Sequence, residues 1–383
     1  IQKQVSLCYK KLNMSKKNSN VILKENFNND KEFSDIYLNF KKKLSKLKKK
    51  PILIAVSGGP DSLALSALAK LYSLEKNYKT YFVLIDHNLR KNSFKEALSV
   101  KKLLKKYQIN LIILKNKKKI NNNIQSKARE VRYNLIADFC KRKRIKNVLT
   151  AHNLEDQVET FFIRLSRGSG LQGLSSMKII SKIDRNINLI RPLLDLKKIQ
   201  LIKISKRIFG RFVKDPTNKN IKYLRTRIRN LKKPLEKSGI SYNQIIKSIN
   251  NLASSRDTLE FYFDKIYEDL VDKKNKKILI KYNNFNILNS EMKMKILKQS
   301  IKDLTNAYYS PRTKKILNLV HHIESNNELK YHLGGCDILR EKKCIILKIS
   351  KKNTLLPWIL DILTYLQLNY SYNILVIDKI ILI

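Results

Sequence analysis

Pro51-Ile52-Leu53-Ile54-Ala55-Val56 runs directly into Ser57-Gly58-Gly59-Pro60-Asp61-Ser62, and a helical pattern follows at Ser62-Leu63-Ala64-Leu65-Ser66-Ala67-Leu68-Ala69. The order is buried strand, glycine turn, helix N-terminus. The first backbone N–H groups of a helix have no partner inside it, and the helix dipole adds partial positive charge there. Two adjacent glycines let the backbone curl close to a bound anion. Ser57 and Ser62 add hydroxyl donors. The segment reads as a phosphate cradle built from Ser57, Gly58, Gly59, Pro60, Asp61 and Ser62. It lacks the Gly-Lys-Ser/Thr ending of a Walker A loop. An ordinary Ser/Gly/Pro turn capped by Asp61 has the same composition, so the surroundings must decide.

Further apolar runs recur at Tyr81–Ile85, Ile109–Leu114 and Asn147–Leu149, each pair separated by about a helix's worth of chain. Strands alternating with helices imply βαβ units and a parallel sheet. The fold class expected is α/β, a Rossmann-like parallel sheet with helices on both faces. In such sheets ligands bind beyond the carboxyl ends of the strands. Asp86-His87-Asn88-Leu89-Arg90 follows the second run and Thr150-Ala151-His152 follows the fourth, where that rule puts a site. After about Ile221 the pattern changes. Residues 224–271 and 288–325 read as amphipathic helices, for instance Ile245, Ile246, Ile249 and Leu252 at helical spacing. Tyr331–Leu333 and Cys344–Leu347 then bracket Arg340-Glu341-Lys342-Lys343 as a small β-hairpin. The expected organisation is a basic N-terminal extension (1–49, with a helix around Phe33–Lys48), an α/β catalytic domain (50–220), a smaller helical domain (221–328), and a short β segment with a truncated C-terminal end (329–383).

The chain of 383 residues carries 80 Lys+Arg against 31 Asp+Glu, a formal charge of +49, with 43% hydrophobic residues. Positive charge on this scale attracts polyanions and speeds their capture, so a nucleic acid is the natural partner. The joint abundance of Lys, Asn and Ile also inflates the charge, and runs such as Lys41-Lys42-Lys43 and Lys141-Arg142-Lys143-Arg144 equally suit a solvated face. Cys8, Cys140, Cys336 and Cys344 form no C-x-x-C pair. That spacing argues against a zinc ribbon, a disulfide framework or a redox pair, and suits a reducing cytoplasm. No stretch reaches the roughly 18 apolar residues of a membrane span, so no membrane partner is expected.

Thr150-Ala151-His152-Asn153-Leu154-Glu155-Asp156-Gln157-Val158-Glu159-Thr160 is the second chemical segment. On a helix His152, Asp156 and Glu159 fall at i, i+4 and i+7, on one face. An imidazole and two carboxylates on one stripe can hold Mg²⁺, bind an ammonium or move a proton. Acidic first turns also serve simply to complement the helix dipole. Arg129 and Arg132, at i and i+3 in Ala128-Arg129-Glu130-Val131-Arg132-Tyr133, suit phosphate or nucleic-acid contact, or are merely exposed bases in a basic chain. Arg167-Gly168-Ser169-Gly170-Leu171-Gln172-Gly173-Leu174 demands a tight, mobile or phosphate-approaching loop. Asp215-Pro216-Thr217-Asn218 signals a turn and helix cap, and the i, i+4 spacing of Arg225 and Arg229 puts them on one helix face.

Taken in order, SGGPDS, DHNLR, ARxxRY, TAHxxEDQxET, RGSGLQGL, RPLL and DPTNxxxxYxRxxIR resemble the tRNA(Ile)-lysidine synthetases, a family of ATP pyrophosphatases, over roughly residues 50–230. The resemblance implies a ligase that forms a carbon–nitrogen bond. Its substrates would be ATP, free L-lysine and the isoleucine tRNA with a CAU anticodon. The C2 oxygen of the wobble cytidine would attack the α-phosphate of ATP, and the lysine ε-amine would then displace AMP to give lysidine. It implies ATP at Ser57–Ser62, Mg²⁺ on Asp61, and catalytic roles for Asp61, His152, Asp156, Glu159 and Arg129. Arg132, Arg225 and Arg229 would contact tRNA, the last two from a tRNA-contacting helical domain. A cytoplasmic location is implied, and a homodimer is compatible with this reading. Two rivals are a tRNA thiolase on the same loop, which commonly needs paired cysteines, and an inactive RNA-binding protein with a vestigial loop.

Overall fold

The computed structural model describes residues 19–45, 47, 51–88, 92–116, 124–184, 186–213, 221–305, 310–326 and 328–350, with the side chains of 124–126 left aside. Leu89 and Arg90, the Asp215–Asn218 turn, Cys8 and the tail from 351 lie outside these residues. The chain divides into two compact units, Ile1–Arg256 and Asp257–Ile383.

The first unit is a six-stranded sheet of order β3-β2-β1-β4-β6-β5. Its strands are β1 (Ile52–Val56), β2 (Thr80–Asp86), β3 (Leu111–Lys115), β4 (Asn147–Leu149), β5 (Ile180–Asp184) and β6 (Ile187–Ile190). All neighbours run parallel except β5, which pairs antiparallel with β6 at the edge. The alternation of β1 explains the two buried faces. Ile52, Ile54 and Val56 join a core with Leu63, Leu68, Val100, Leu104, Leu201 and Ile204, from helices Pro60–Lys76, Ser93–Lys105 and Lys198–Phe209. Leu53 faces the other way, toward Ile136, Phe139 and Cys140 of the Ile124–Lys143 helix. Two further helices, Ser19–Asn28 and Lys31–Ser45, send Phe27, Phe33 and Phe40 into the first core, the second of them where a helix is expected.

Strand order reverses between β1 and β4: β2 and β3 lie on one side of β1, β4 and β6 on the other. This is the topological switch point at which open α/β sheets form their ligand crevice.

The second unit carries a five-stranded antiparallel sheet, β7-β8-β11-β10-β9, with helices Ser290–Thr305 and Thr313–Ser325. It departs from the sequence reading in two ways. First, β7 (Val271–Lys274) and β8 (Lys277–Lys281) form a hairpin at the end of a stretch read as helical. Lysines flank only three apolar residues there, and just Ile278 and Ile280 are buried on β8, too short a run to stand out. Second, β9 (Leu329–Leu333) does not pair with β11 (Cys344–Ile349): β10 (Cys336–Arg340) lies between them. Gly334 and Gly335, at φ +62° and +79°, make the tight turn between β9 and β10. Such a two-residue primed turn needs positive φ at both positions.

Candidate active site

The parallel register places three loops at one end of the sheet. Val56 pairs with Leu84 on β2 and Ile54 with Leu149 on β4, so the chain leaves β1, β2 and β4 side by side.

The loop after β1 is the cradle. Gly58 sits at φ +82°, and a Cβ there would lie 2.5 Å from Val100 Cγ2, so both conformation and space exclude a side chain. Val213 N–H donates to Gly58 O at 3.0 Å and holds the loop from outside. Gly59 is the N-cap of Pro60–Lys76 and Pro60 opens the helix; no side chain caps it, so the first-turn amides are left for an anion. Ser62 Oγ is committed to the loop itself. It accepts from Ser57 N–H and Ser57 Oγ–H, each at 3.1 Å, and donates to Gly59 O at 3.0 Å. The Ser57 side of the loop is exposed and Ser62 is buried.

Asp61 is half-buried rather than open to solvent. Its Oδ1 is buried and has no hydrogen-bond partner among the described residues. Burial pushes the carboxyl up to about 6, opposed by the charges of Lys198 and Arg229 and reinforced by Asp156 and Glu155. An orphaned carboxylate oxygen beside an amide cradle fits a hard divalent cation such as Mg²⁺, which takes one or two carboxylates plus phosphate oxygens.

The loop after β4 carries the second group. Thr150 Oγ1 lies 2.9 Å from His152 Nδ1. Burial pushes the His152 imidazole down to about 4, so it is neutral at physiological pH. His152 does not share the helix face expected from the sequence: the helix is Leu154–Leu165, and Asn153 is its N-cap. Asn153 Oδ1 accepts from Asp156 N–H at 3.0 Å, and Asn153 N–H donates to Asp156 Oδ2 at 3.1 Å, a reciprocal capping box. Asp156 thus has one oxygen in the cap. Glu155 reaches sideways, its Oε2 accepting from Lys198 N–H at 2.8 Å, which pins two helix starts together.

Glu159 is 2% exposed and is shared by two arginines. Arg229 Nε and Nη2 donate to it at 2.7 and 3.2 Å, and Arg225 Nε lies 3.1 Å from Oε2. The i, i+4 spacing does put Arg225 and Arg229 on one face, of the Leu224–Asn230 helix. Arg129 and Arg132 stand exposed on the Ile124–Lys143 helix. Arg129 lies 5.1 Å from the centre of the Tyr133 ring, and Arg132 Nε is 3.4 Å from His87 Nε2.

Of three further residues near this site, Lys198 carries no signal that singles it out in sequence, while Asp86 and His87 belong to the segment expected after the second strand. Lys198 supplies the strongest attractive charge at Asp61, yet it is one lysine among many. Asp86, 3% exposed, accepts from Asn88 N–H at 2.9 Å through Oδ1. His87 is pushed down to about 4 by burial and by Arg132.

A glycine cradle at the switch point of a parallel sheet, with an orphaned carboxylate beside it, defines a nucleotide-using enzyme of the PP-loop class. A family model described as a PP-loop domain matches residues 32–235. A tRNA(Ile)-lysidine synthase of Wolbachia pipientis is 31% identical over 301 residues, covering 77% of this chain and 70% of the relative. One from Orientia tsutsugamushi is 40% identical over 185 residues, 48% of this chain and 42% of the relative. The chain belongs to the tRNA(Ile)-lysidine synthase family, and it is a ligase. A U34-tRNA thiolase from Methanococcus maripaludis superposes with TM-score 0.50 at 16% identity, over 58% of this chain and 79% of the thiolase, which shows a shared fold. No helix among the described residues is long and apolar enough to cross a membrane.

Proposed function

We propose that this ligase joins free L-lysine to C2 of the wobble cytidine of the CAU-anticodon isoleucine tRNA, through an adenylated cytidine. The observation that carries the reading is the uncapped Ser57–Ser62 cradle, with the orphaned Asp61 Oδ1, opening beside the Thr150–Glu159 segment.

In the first step the cytidine C2 oxygen attacks the α-phosphorus of ATP and pyrophosphate leaves. Pyrophosphate leaves readily only if its charge is met, and the first-turn amides of the Pro60–Lys76 helix offer preorganised donors. Asp61 would hold Mg²⁺, which when bound supplies charge neutralisation at the phosphate oxygens. Lys198 adds a cation on the same side. In the second step the ε-amine attacks C2 and AMP leaves. The amine arrives as an ammonium with a free pKa near 10.4, so a carboxylate must orient it and take its proton. We assign that role to Asp156, whose Oδ2 is steadied by the Asn153 N–H. Glu159 acts beside it by holding Arg225 and Arg229. Neutral His152 offers one ring nitrogen to the reacting groups while Thr150 engages the other. Arg129 steadies the α-phosphate, and Arg132, Arg225 and Arg229 engage tRNA phosphates. The cytidine must be splayed from the anticodon loop to reach the cradle, as in other enzymes that act on a base.

The test is incubation of the purified enzyme with tRNA, ATP and isotopically labelled lysine, followed by mass analysis of the tRNA nucleosides. Label in one cytidine-derived nucleoside, with pyrophosphate released only when tRNA is present, is the expected outcome. Pyrophosphate release with sulfur rather than lysine entering the tRNA would support the thiolase reading instead.

A further inference from the structure

The helix that follows β2, Ser93–Lys105, carries an apolar strip on its outward side. Ala97, Val100, Leu103 and Leu104 are buried and define its inner face. Phe94 and Leu98, at i and i+4, are 42% and 45% exposed, and exposed Lys101 continues their row. A helix laid on a core ordinarily keeps that outward face polar. The strip is set among bases: the helix holds Lys95, Lys101, Lys102 and Lys105 against one acid, Glu96. Lys115, the last residue of β3, brings its Nζ over the Phe94 ring, 5.3 Å from the centre.

Topology sets this ring on the rim above the cradle. In a parallel sheet the helix after a strand starts beyond the carboxyl edge and runs back toward the amino edge. Val100 is the residue that a Cβ on Gly58 would strike, 2.5 Å from its Cγ2, so this helix packs directly on the cradle. Phe94 precedes Val100 by six residues, which at 1.5 Å per residue sets it about 9 Å further out along the helix axis. Lys115 pairs in register with Asp86, the last residue of β2, and so lies at the same edge of the sheet. The strip therefore borders the crevice and is not a remote surface.

We propose that Phe94 is a stacking platform for a base of the anticodon loop that flanks the reacting cytidine, with Lys115 at the phosphate of that nucleotide. The inference rests on the lysidine-forming reading above. A cytidine splayed into the cradle pulls its neighbours out of their stack, and their bared faces need a partner. An aromatic ring serves any base, and lysines around it track the backbone. An apolar protein segment would match the strip but not the lysines. A free phosphate would match the lysines but not the ring. Single-stranded RNA matches both. Stacking tolerates every base, so the platform holds the loop in place and leaves the choice of tRNA to other contacts.

The experiment measures binding of the full chain to a CAU anticodon stem-loop RNA, and to the same RNA with abasic sites on both sides of the cytidine. Wild type is compared with Phe94→Ala, Phe94→Leu, Phe94→Trp and Lys115→Gln, each checked by thermal melting. Loss of one base stack should weaken the intact stem-loop about tenfold in Phe94→Ala and Phe94→Leu, with the salt slope unmoved, while Phe94→Trp binds as wild type does. The abasic RNA should bind wild type about tenfold more weakly and lose nothing further in Phe94→Ala. Lys115→Gln should flatten the salt slope by about one unit. The platform is overturned if Phe94→Ala binds the intact stem-loop like wild type, if it loses equally on both RNAs, or if Phe94→Leu binds normally. Self-association that Phe94→Ala abolishes, with RNA binding intact, would also overturn it and make the strip a contact between copies. If the stem-loops bind in the expected pattern but no lysidine forms from tRNA, ATP and lysine, the reaction is misread and the platform stands.

Discussion

Burial pushes the Asp61 carboxyl up to about 6 from an unperturbed 3.8, so ionising it costs the folded chain more than the unfolded one. Between those two values the native state keeps a proton that the unfolded state has released. Stability therefore falls as pH rises through that window. Asp61→Asn should melt higher than wild type at pH 7, with the difference shrinking toward pH 4, and should lose tRNA-dependent pyrophosphate release. Normal release from a folded variant would remove Asp61 from the reaction. His152 works in the opposite direction. Burial holds it at about 4 against an ordinary 6.5, so the unfolded chain takes up a proton that the native state refuses. Stability present above 6.5 is lost as pH falls toward 4. His87, also pushed down to about 4, adds to the same slope. His152→Gln should flatten the acid limb of a Tm–pH curve without abolishing it. An unchanged limb would mean that native His152 accepts the proton, and its role as a neutral imidazole would fail.

The Leu154–Leu165 helix is the element on which these groups depend. Its capping box joins Asn153 to Asp156, so Asn153→Ala should cost about 1 kcal/mol in a denaturant titration. Asp156→Asn keeps a carbonyl acceptor for the Asn153 N–H, so it should melt near wild type yet raise KM for lysine sharply. A large fall in Tm with unchanged lysine kinetics would make Asp156 a cap and nothing more. The same helix shows what sequence can and cannot disclose. The cradle was legible because strand alternation, paired glycines and a proline at the helix start are all local signals. Asp156 and Glu159 were legible as types. The place of His152 was not, because Asn153 starts the helix one residue after it, which periodicity does not register. The partners of Glu159 were hidden for a different reason: Arg229 lies 70 positions away, and no local pattern encodes that meeting. The β7–β8 hairpin escaped because two buried isoleucines between lysines resemble a helix end as much as a strand.

Across the whole molecule a formal charge of +49 creates a field that attracts polyanions and, being blind to sequence, would not choose among RNAs. Affinity for any tRNA should be strong in low salt and fall steeply as salt rises, because each neutralised phosphate releases condensed counterions. Within that field the Arg225–Glu159–Arg229 cluster is a partly neutralised charge. Glu159 is sealed in at 3% side-chain exposure, while Arg225 and Arg229 are 45% and 32% exposed. The arginines can meet a phosphate, and the glutamate cannot. One carboxylate against two guanidiniums leaves a net charge of one to offer. Arg225→Ala should therefore weaken all tRNAs alike and flatten the plot of log affinity against log salt by about one unit. Glu159→Gln should do the reverse. It frees a second positive charge, so non-specific tRNA binding should tighten and the salt slope steepen. The unbalanced cluster should meanwhile lower stability by about 1–3 kcal/mol, the worth of a charge-assisted contact. Filter binding over a salt series, with a denaturant titration of each variant, measures both effects. If Glu159→Gln left the slope unmoved while Arg225→Ala changed only which tRNA was preferred, these arginines would be reading bases. Glu159 would then be orienting them for that purpose rather than metering charge.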